Sequence, residues 1–411
     1  MRICLASQTF HPQDEGGAEI SARHAAEALS ADHEVTVLAL GKAGDATAPL
    51  GEVETAAPYR LHRLRFRNAY LPLARRADVS LAAKIAWHLR AAQGALDPQE
   101  VRRILRELRP DVLYANNSAY MQPVLFREAH RAGIPIAMHL RDYAVLCPRV
   151  DMRRAGKNCP RPCLDCRVLR APARSAFGRV SHAIAVSAFV RDRLLAGGAL
   201  PGAEWHVLHN RNLARAPQLC RAPVAGRPFT FGFLGAVTPE KGIEALLAAF
   251  ETLPPGTARL LIGGRGADET MAALRSRTAG KAVEWLGFVA PATLLAQVDM
   301  VVVPSLWHEP QSRVLIEAPA AGVPVLASRR GGSTEVVEGY RTGWTFEPDE
   351  PGAFARCLSA AAAYTPAHWA AALPALFPGL AGFEGTAEGS GYYQRLERIL
   401  EACAASRTAV T

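Results

Sequence analysis

The sequence predicts an α/β chain built from two doubly wound, Rossmann-like domains. Three observations predict it. Short apolar runs alternate with runs of helical spacing along nearly the whole chain. A proline-containing stretch without period, residues 210–227, interrupts the alternation, which then restarts. And 411 residues are enough for two domains at roughly 100–200 residues each, both with ample cores.

The elements follow in order. Arg2 to Ala6 is a short apolar strand, residues 11–17 a loop, Ala18 to Ser30 a helix and Val35 to Leu40 a second strand. Leu81 to Ala92 and Pro98 to Arg109 have helical spacing. Asp111 to Ala115 is a strand, Tyr120 to Ala132 a helix and Pro135 to His139 a strand. A cysteine-rich loop leads to the strand Ala183 to Val186 and the helix Ala188 to Leu195. After the break come the strand Phe229 to Leu234, the helix Pro239 to Leu253 and the strand Ala258 to Ile262. Glu269 to Arg277, Thr293 to Val298, Met300 to Val303, Val314 to Ala321 and Val323 to Ala327 continue the array, and Tyr392 to Ala402 forms a last helix. Repeated β–α alternation argues for parallel sheets covered on both faces, with ligands beyond the carboxyl ends of the strands.

The densest chemistry lies between Val303 and Glu338, which reads VPSLWHEPQSRVLIEAPAAGVPVLASRRGGSTEVVE. Glu309 falls in the loop after a strand, and Glu317 falls a turn or more into the next helix, so both carboxylates can face one crevice. The helix start adds backbone N–H groups and a positive dipole end that favour an anion. Taken alone, two glutamates at this spacing are usually a solvated face; the ordered run of features is the more specific signal.

That run resembles the donor-site signature of the retaining glycosyltransferases of family 4, which have the GT-B fold of two Rossmann-like domains facing across a cleft. Glu309 and Glu317 match its E-x7-E pair; Ala320, Ala321, Gly322 and Pro324 match its small-residue helix end; Gly331, Gly332 and Glu335 match its Gly-Gly-x-x-Glu. Gly235 with Lys241 and Gly242 resembles its G-x5-K-G. The resemblance implies an acceptor-side domain at 1–212, a nucleotide-sugar-binding domain at 213–388, and a C-terminal helix at 389–411 returning to the first. It implies that Glu309 contacts the donor sugar, Glu317 the ribose hydroxyls and Lys241 the phosphates. Gly16, Gly17 and Gly235 would let backbone approach the donor, and Gln311, Ser312 and Arg313 would line it at a helix start. The chain departs from the pattern twice. Ala236 stands where the family usually has a phosphate-binding arginine, with Arg265 as a replacement. Arg141 stands where many members have histidine before Asp142, with His139 two residues earlier on the same strand face. Asp142 would position an acceptor hydroxyl or orient Arg141; its bland reading is a salt bridge at a strand end.

Composition sets further bounds. A net charge of +9 favours anionic partners, yet no nucleic-acid module is recognisable, so nucleic acid is not an expected partner. Arg60, His62, Arg63, Arg65 and Arg67 interleave with Tyr59, Phe66 and Tyr70, and Arg75, Arg76, Lys84, Trp87 and Arg90 follow. Such a stretch suits an anionic membrane surface, or a solvated helix pair whose arginine stems lie on the core. No apolar run is long enough to span a bilayer and the N-terminus reads as a strand, so the expected place is the cytoplasm, peripheral to the inner face of the plasma membrane. Of eight cysteines, Cys147, Cys159, Cys163 and Cys166 crowd together as C-x11-C-x3-C-x2-C. They are read as a structural zinc site, as loose or redox thiols, or as an iron–sulfur ligand set; no cofactor is expected for catalysis. The leading function is transfer of a sugar from a nucleotide sugar to a saccharide or lipid-linked acceptor, for a surface polysaccharide or lipopolysaccharide. The alternatives are a nucleotide-sugar-binding scaffold or a sugar-nucleotide epimerase of the same fold.

Overall fold

The computed structural model describes residues 1–10, 17–41, 53–54, 58–68, 80–116, 118–211, 227–383 and 391–406. Contacts divide the chain into two compact units, one of Met1–Arg154, Cys159–Leu208 and Gly391–Thr411, the other of Ala155–Asn158 and His209–Ser390.

The first unit opens with β1 (Arg2–Ser7), α1 (Gly17–Leu29), β2 (Glu34–Leu40), β3 (Val53–Glu54) and β4 (Arg60–Leu64). It continues through α2 (Leu81–Gln93), α3 (Pro98–Leu108), β5 (Val112–Asn116), α4 (Gln122–Arg131) and β6 (Ile136–Leu140). The short strand β7 (Arg153–Arg154) precedes β8 (Lys157–Asn158), which belongs to the second unit; the first unit resumes with α5 (Leu164–Phe177), β9 (His182–Ala185), α6 (Ala188–Ala196) and β10 (Glu204–Val207). The strand order is β10-β9-β6-β5-β1-β2-β4-β3, parallel except where β3 runs against β4. Every residue of β5 and β6 is buried, as strands covered on both faces require.

Helix α3 shows how local sequence sets an element. Asp97 caps it by accepting from the Gln99 N–H, Pro98 fills the first turn, and Arg109 closes it in the left-handed region. Val101, Ile104 and Leu105 form its buried stripe.

The second unit runs β11 (Phe229–Leu234), α7 (Ile243–Phe250), β12 (Ala258–Gly263), α8 (Asp268–Thr278), β13 (Val283–Gly287), α9 (Pro291–Leu295) and β14 (Met300–Val303). It is completed by α10 (Val314–Ala320), β15 (Val325–Ser328), α11 (Ser333–Gly339), β16 (Gly343–Phe346), α12 (Ala353–Ala362) and α13 (Pro366–Leu376). The strand order is β13-β12-β11-β14-β15-β16, all parallel. Its faces alternate residue by residue: Leu260 and Ile262 join the core with Phe231 and Met300, while Leu261 joins the opposite core with Val301 and Val325. The last helix, α14 (Tyr392–Ala405), packs in the first unit, where Leu396, Ile399, Leu400 and Cys403 join α1, β1 and β2 in one cluster.

Several sequence readings change. Residues 60–64 are a strand inside the first sheet, where the sequence suggested a helix pair or a membrane-facing stretch. Tyr59 and Trp87 are buried, Tyr59 edge-on to Phe10 and Trp87 against Tyr120. These two rings belong to the core, since each finds aromatic partners there; Tyr70, Arg75 and Arg76 lie outside the described residues. The expected helix from Pro239 to Leu253 is instead a 3₁₀ turn at Pro239–Lys241 followed by α7. Gly242 breaks it at φ 75°, where an added Cβ would meet the Pro304 carbonyl oxygen at 1.9 Å. No helix among the described residues is long and apolar enough to cross a membrane.

Both sheets change winding direction once. In the first the change falls between β1 and β5, in the second between β11 and β14. Loops leaving the carboxyl ends of such strands diverge and leave a crevice for a ligand.

Candidate active site

In the second unit, the loops after β11 and β14 meet at the switch point. Lys241, from the first loop, places Nζ 2.5 Å from Glu309 Oε1, from the second. Ser305 Oγ donates to the other carboxylate oxygen at 2.7 Å. Glu309 is buried and Lys241 is about a quarter exposed, so the pair is ordered yet open on the lysine side. Lys241 also lies 5.9 Å from the Trp307 ring centre. The loop after β15 secures Glu309 from behind: Gly332 N–H donates to its carbonyl at 2.9 Å. Gly331 has φ 62°, and a Cβ there would meet the same carbonyl oxygen at 1.9 Å, so the two loops can approach this closely only with glycine.

Glu317 occupies the fourth position of α10, buried, with Arg313 Nη2 2.8 Å away. Burial pushes its carboxyl above the usual range, and Arg313 pulls it back. Gln311 is held by Asn210, whose backbone N–H donates to Gln311 Oε1 at 2.6 Å. Ser312 gives its carbonyl to the Leu315 N–H at the start of α10. Glu335 pairs with His209 Nε2 at 2.8 Å, and the Tyr340 hydroxyl lies 2.6 Å from His209 Nδ1. Gly235 follows β11, and its N–H donates to the Gly263 carbonyl. Arg265 lies in the neighbouring loop after β12, its carbonyl accepting from the Val237 N–H and its guanidinium 4.8 Å from the Phe288 ring centre.

In the first unit, a second constellation stands at the switch between β1 and β5. Asn116 ends β5, and its Oδ1 accepts from Arg141 Nε at 2.8 Å just beyond β6. Tyr114 OH lies 2.8 Å from His139 Nδ1, and the Asn116 amide donates to that hydroxyl at 3.3 Å. His139 is fully enclosed; burial and Arg141 hold its imidazole well below the usual range, so it is neutral. The ring therefore faces the interior network, where the sequence had placed it within reach of substrate. Asp142 Oδ1 accepts from the Ala144 N–H at 2.7 Å, and burial raises its carboxyl above the usual range, with nearby Glu19 adding to the rise. Glu19 is itself buried and accepts from Thr9 Oγ1 at 2.9 Å. Gly17 is the first residue of α1; Gly16 lies outside the described residues.

Sequence reasoning missed Ser305, Thr9, Glu19, Tyr114 and Asn116. Ser305 had a signal, a hydroxyl two residues past the buried strand β14. Tyr114 and Asn116 had none, because VLYAN reads as an ordinary buried strand. Away from both crevices, His182, Glu204 and His206 bring three possible metal-ligating atoms within 4.8 Å of one another at the amino ends of β9 and β10.

Two largely parallel sheets, each with polar side chains gathered at its switch point, fit the GT-B architecture, and solved structures show the same fold. Anabaena Alr3699/HepE in complex with UDP superposes with TM-score 0.65 at 18% identity, over 98% of this chain and all of that one. WaaG, described as a glycosyltransferase involved in lipopolysaccharide biosynthesis, gives 0.64 at 16% identity, over 97% and 99%. These likenesses show the fold. Among curated proteins, the "Uncharacterized 42.6 kDa protein in cps region" of Klebsiella pneumoniae is 24% identical over 82% of this chain and 87% of its own length. Glycogen synthase of Mycobacterium tuberculosis is 28% identical over 85% and 83%. Residues 16–211 match the model of the glycosyl transferase 4-like domain, and residues 228–363 that of the glycosyl transferases group 1. The chain belongs to the family-4-like glycosyltransferases of GT-B fold.

Proposed function

We propose that this glycosyltransferase is a retaining enzyme that moves a sugar from a nucleotide-sugar donor to a saccharide or lipid-linked acceptor, in surface polysaccharide or lipopolysaccharide assembly. The observation that carries the reading is the Lys241–Glu309–Ser305 arrangement at the β11/β14 switch point. A donor of this kind carries a diphosphate, and breaking its sugar–oxygen bond places negative charge on the departing oxygen. Fixed donors stabilise that charge because they need no reorganisation as it develops. Lys241 supplies a cation and Glu309 an acceptor for the sugar hydroxyls. Glu317 accepts from the ribose diol, as a carboxylate with two oxygens can. Arg265 takes part of the role that Ala236 leaves open.

In the first unit, Asp142 and Arg141 orient the acceptor, while neutral His139 and Tyr114 hold Arg141 and Asn116 in place. The acceptor oxygen attacks the anomeric carbon on the face that the phosphate leaves, and its proton passes to the departing phosphate oxygen. No protein base is needed for that route. The UDP, UDP and glucose, and UDP-glucose complexes of HepE and the cps-region and lipopolysaccharide relatives support the donor class and the pathway class. The enzyme works at the inner face of the plasma membrane. Helix α2 faces solvent with Ile85 and Leu89 beside Lys84 and Arg90, apolar and basic groups together, as a headgroup region favours.

The test is incubation with UDP-, GDP- and ADP-sugars, with and without saccharide acceptors, following free nucleoside diphosphate and the anomeric configuration of the product. One donor should be consumed with retention. Inversion, or binding of a nucleotide sugar without turnover on any acceptor, would overturn the reading in favour of another mechanism or of a scaffold.

A further inference from the structure

The four clustered cysteines take no part in either crevice. Cys147 is buried at the end of a tight run of turns, its N–H donating to the Tyr143 carbonyl. Cys159 follows β8 and donates its N–H to the Met152 carbonyl at 2.7 Å. Cys163 is the N-cap of α5, and Cys166 sits buried in that helix's first turn. None of the four is in a disulfide. Cys166 Sγ lies 3.3 Å from Cys163 Sγ and 3.7 Å from Cys147 Sγ. Sulfurs about 2.3 Å from one tetrahedral zinc stand about 3.8 Å apart; the central thiol has two neighbours near that spacing, while no three of the four sulfurs lie within 4.8 Å of one another, so Cys159 and the Cys147–Cys163 pair would draw in around an ion.

Two further observations point to an ion. Val150, Met152 and Ala155 all have positive φ, at 62°, 50° and 48°. Three such residues within six positions cost on the order of 1–3 kcal/mol each unless their surroundings hold them, and in the stretch 148–165 only Met152 is fully buried. A metal clip supplies what a core does not. The second observation is Arg170, a buried guanidinium whose Nη2 donates to the Cys147 carbonyl while its Nε has no partner. Buried cations need an anion. Among the described residues, Arg170 has one carboxylate in its surroundings, Asp142, and lies within electrostatic reach of Cys147 and Cys166; zinc with four thiolates, net charge −2, would add a second anionic partner there. Arg193 donates to the Cys159 carbonyl. The His182, Glu204 and His206 group is different: its two imidazoles bond each other at 3.0 Å and Glu204 is exposed, so it is satisfied without a metal.

We propose that Cys147, Cys159, Cys163 and Cys166 hold one structural Zn²⁺, and that the ion fixes the segment from Arg141 to Cys147, whose first residues orient the acceptor. Binding releases four thiol protons to solvent and forms four zinc–sulfur bonds, with no redox change. The second half of the proposal rests on the acceptor role given above to Arg141 and Asp142; the first half does not.

Protein purified under reducing conditions without chelator should contain about one zinc per chain, released by a mercurial in step with four thiols. Cobalt exchanged into the folded protein should show tetrahedral ligand-field and sulfur-to-cobalt charge-transfer bands, a readout that needs no variant to fold. Cys166→Ser should lose the zinc, whereas Cys357→Ser should retain it. Zinc-free protein with freely titrating thiols, a disulfide among the four, or an iron–sulfur absorption would overturn the site. With zinc shown, Cys163→Ser should raise the acceptor KM about tenfold or more and leave the donor KM unchanged. Unchanged acceptor kinetics would refute the positioning role alone, and absence of any transferase activity in the wild type would count against the functional reading while the metal stoichiometry still stands.

Discussion

The two switch points are built from different materials. In the second unit four charged side chains form two ion pairs, Lys241 with Glu309 and Arg313 with Glu317. In the first unit the corresponding place holds a neutral hydrogen-bonded core of Tyr114, Asn116 and His139, with Arg141 at its rim and the carboxyls of Asp142 and Glu19 nearby. The difference follows the chemistry proposed for each. A diphosphate leaving group is a strong anion and needs a cation already in position. An acceptor hydroxyl is neutral and is oriented by hydrogen bonds, which are stronger in a buried network than in water.

The hardest test of that contrast is to remove the charges of the second unit. Lys241→Ala and Glu309→Gln should each lower kcat by about 30- to 1,000-fold, the equivalent of ~2–4 kcal/mol of transition-state stabilisation, with circular dichroism unchanged. Activity near wild type in both variants would mean that the pair is structural and that the charged crevice is not the donor site.

The Gly331 contact separates geometry from charge. Gly331→Ala keeps every ionisable group but places a Cβ 1.9 Å from the Glu309 carbonyl oxygen at positive φ. The loop after β14 must then move. We expect a loss of about 1–3 kcal/mol in stability together with a loss of donor affinity. A variant with wild-type Tm and donor KM would show that the approach of these loops has no part in holding Glu309.

The same contrast explains what was legible in the sequence. Glu309, Arg313, Glu317, Gly331 and Gly332 lie in one contiguous stretch, and glycines and carboxylates at loop positions stand out. The first-unit network is assembled by the register of three parallel strands: Ala115 pairs with both Ala6 and Met138, and Asn116 pairs with His139. Nothing local marks Tyr114 or Asn116 within an apolar strand. The same long-range cause hid β4, whose arginines looked like surface while Leu61, His62 and Leu64 were core. Helices α5 and α13 escaped notice because Pro172 and Pro374 lie inside them, and the break at Gly242 depends on Pro304, sixty-two positions away.

A milder test addresses the first unit. Asp142→Asn keeps an oxygen for the Ala144 N–H and removes the charge, so folding should survive. The acceptor KM should rise about tenfold, in line with one lost charge-assisted hydrogen bond of roughly 1.5–3 kcal/mol, partly replaced by the amide. The donor KM should not move. A shift in donor KM instead would place Asp142 on the nucleotide side and undo the division of labour.

Glu317→Gln reads the cost of the second unit's charges as stability. Because burial raises the folded-state pKa of Glu317, the fold prefers the protonated form. Its contribution is complete below the ordinary carboxylate value of about 4.3 and is lost as pH rises through the raised value. The glutamine variant is neutral throughout. Its Tm should match wild type in acid and exceed it increasingly toward neutral pH, while nucleotide affinity falls because the ribose diol loses a charged acceptor. A variant less stable at neutral pH than at acid pH, relative to wild type, would show that the Arg313 pair outweighs burial.

A separate effect concerns the membrane. With Tyr59 and Trp87 in the core, those two rings cannot drive attachment, and on α2 the surface to test is the exposed pair Lys84 and Arg90 beside Ile85 and Leu89. Lys84→Glu/Arg90→Glu reverses two charges there. Attraction of roughly 1 kcal/mol per basic residue near an anionic surface makes the expected change about thirtyfold or more in partitioning onto anionic vesicles at low salt, since both attractions are lost and replaced by repulsion. It should shrink as salt shortens the screening length to about 10 Å at 0.1 M. Neutral vesicles should pellet neither protein, and the fluorescence of Trp87, already enclosed, should not change on binding. Equal binding of wild type and variant to anionic vesicles would place any attachment elsewhere on the molecule and leave α2 as a solvated helix whose basic stems serve only the first unit.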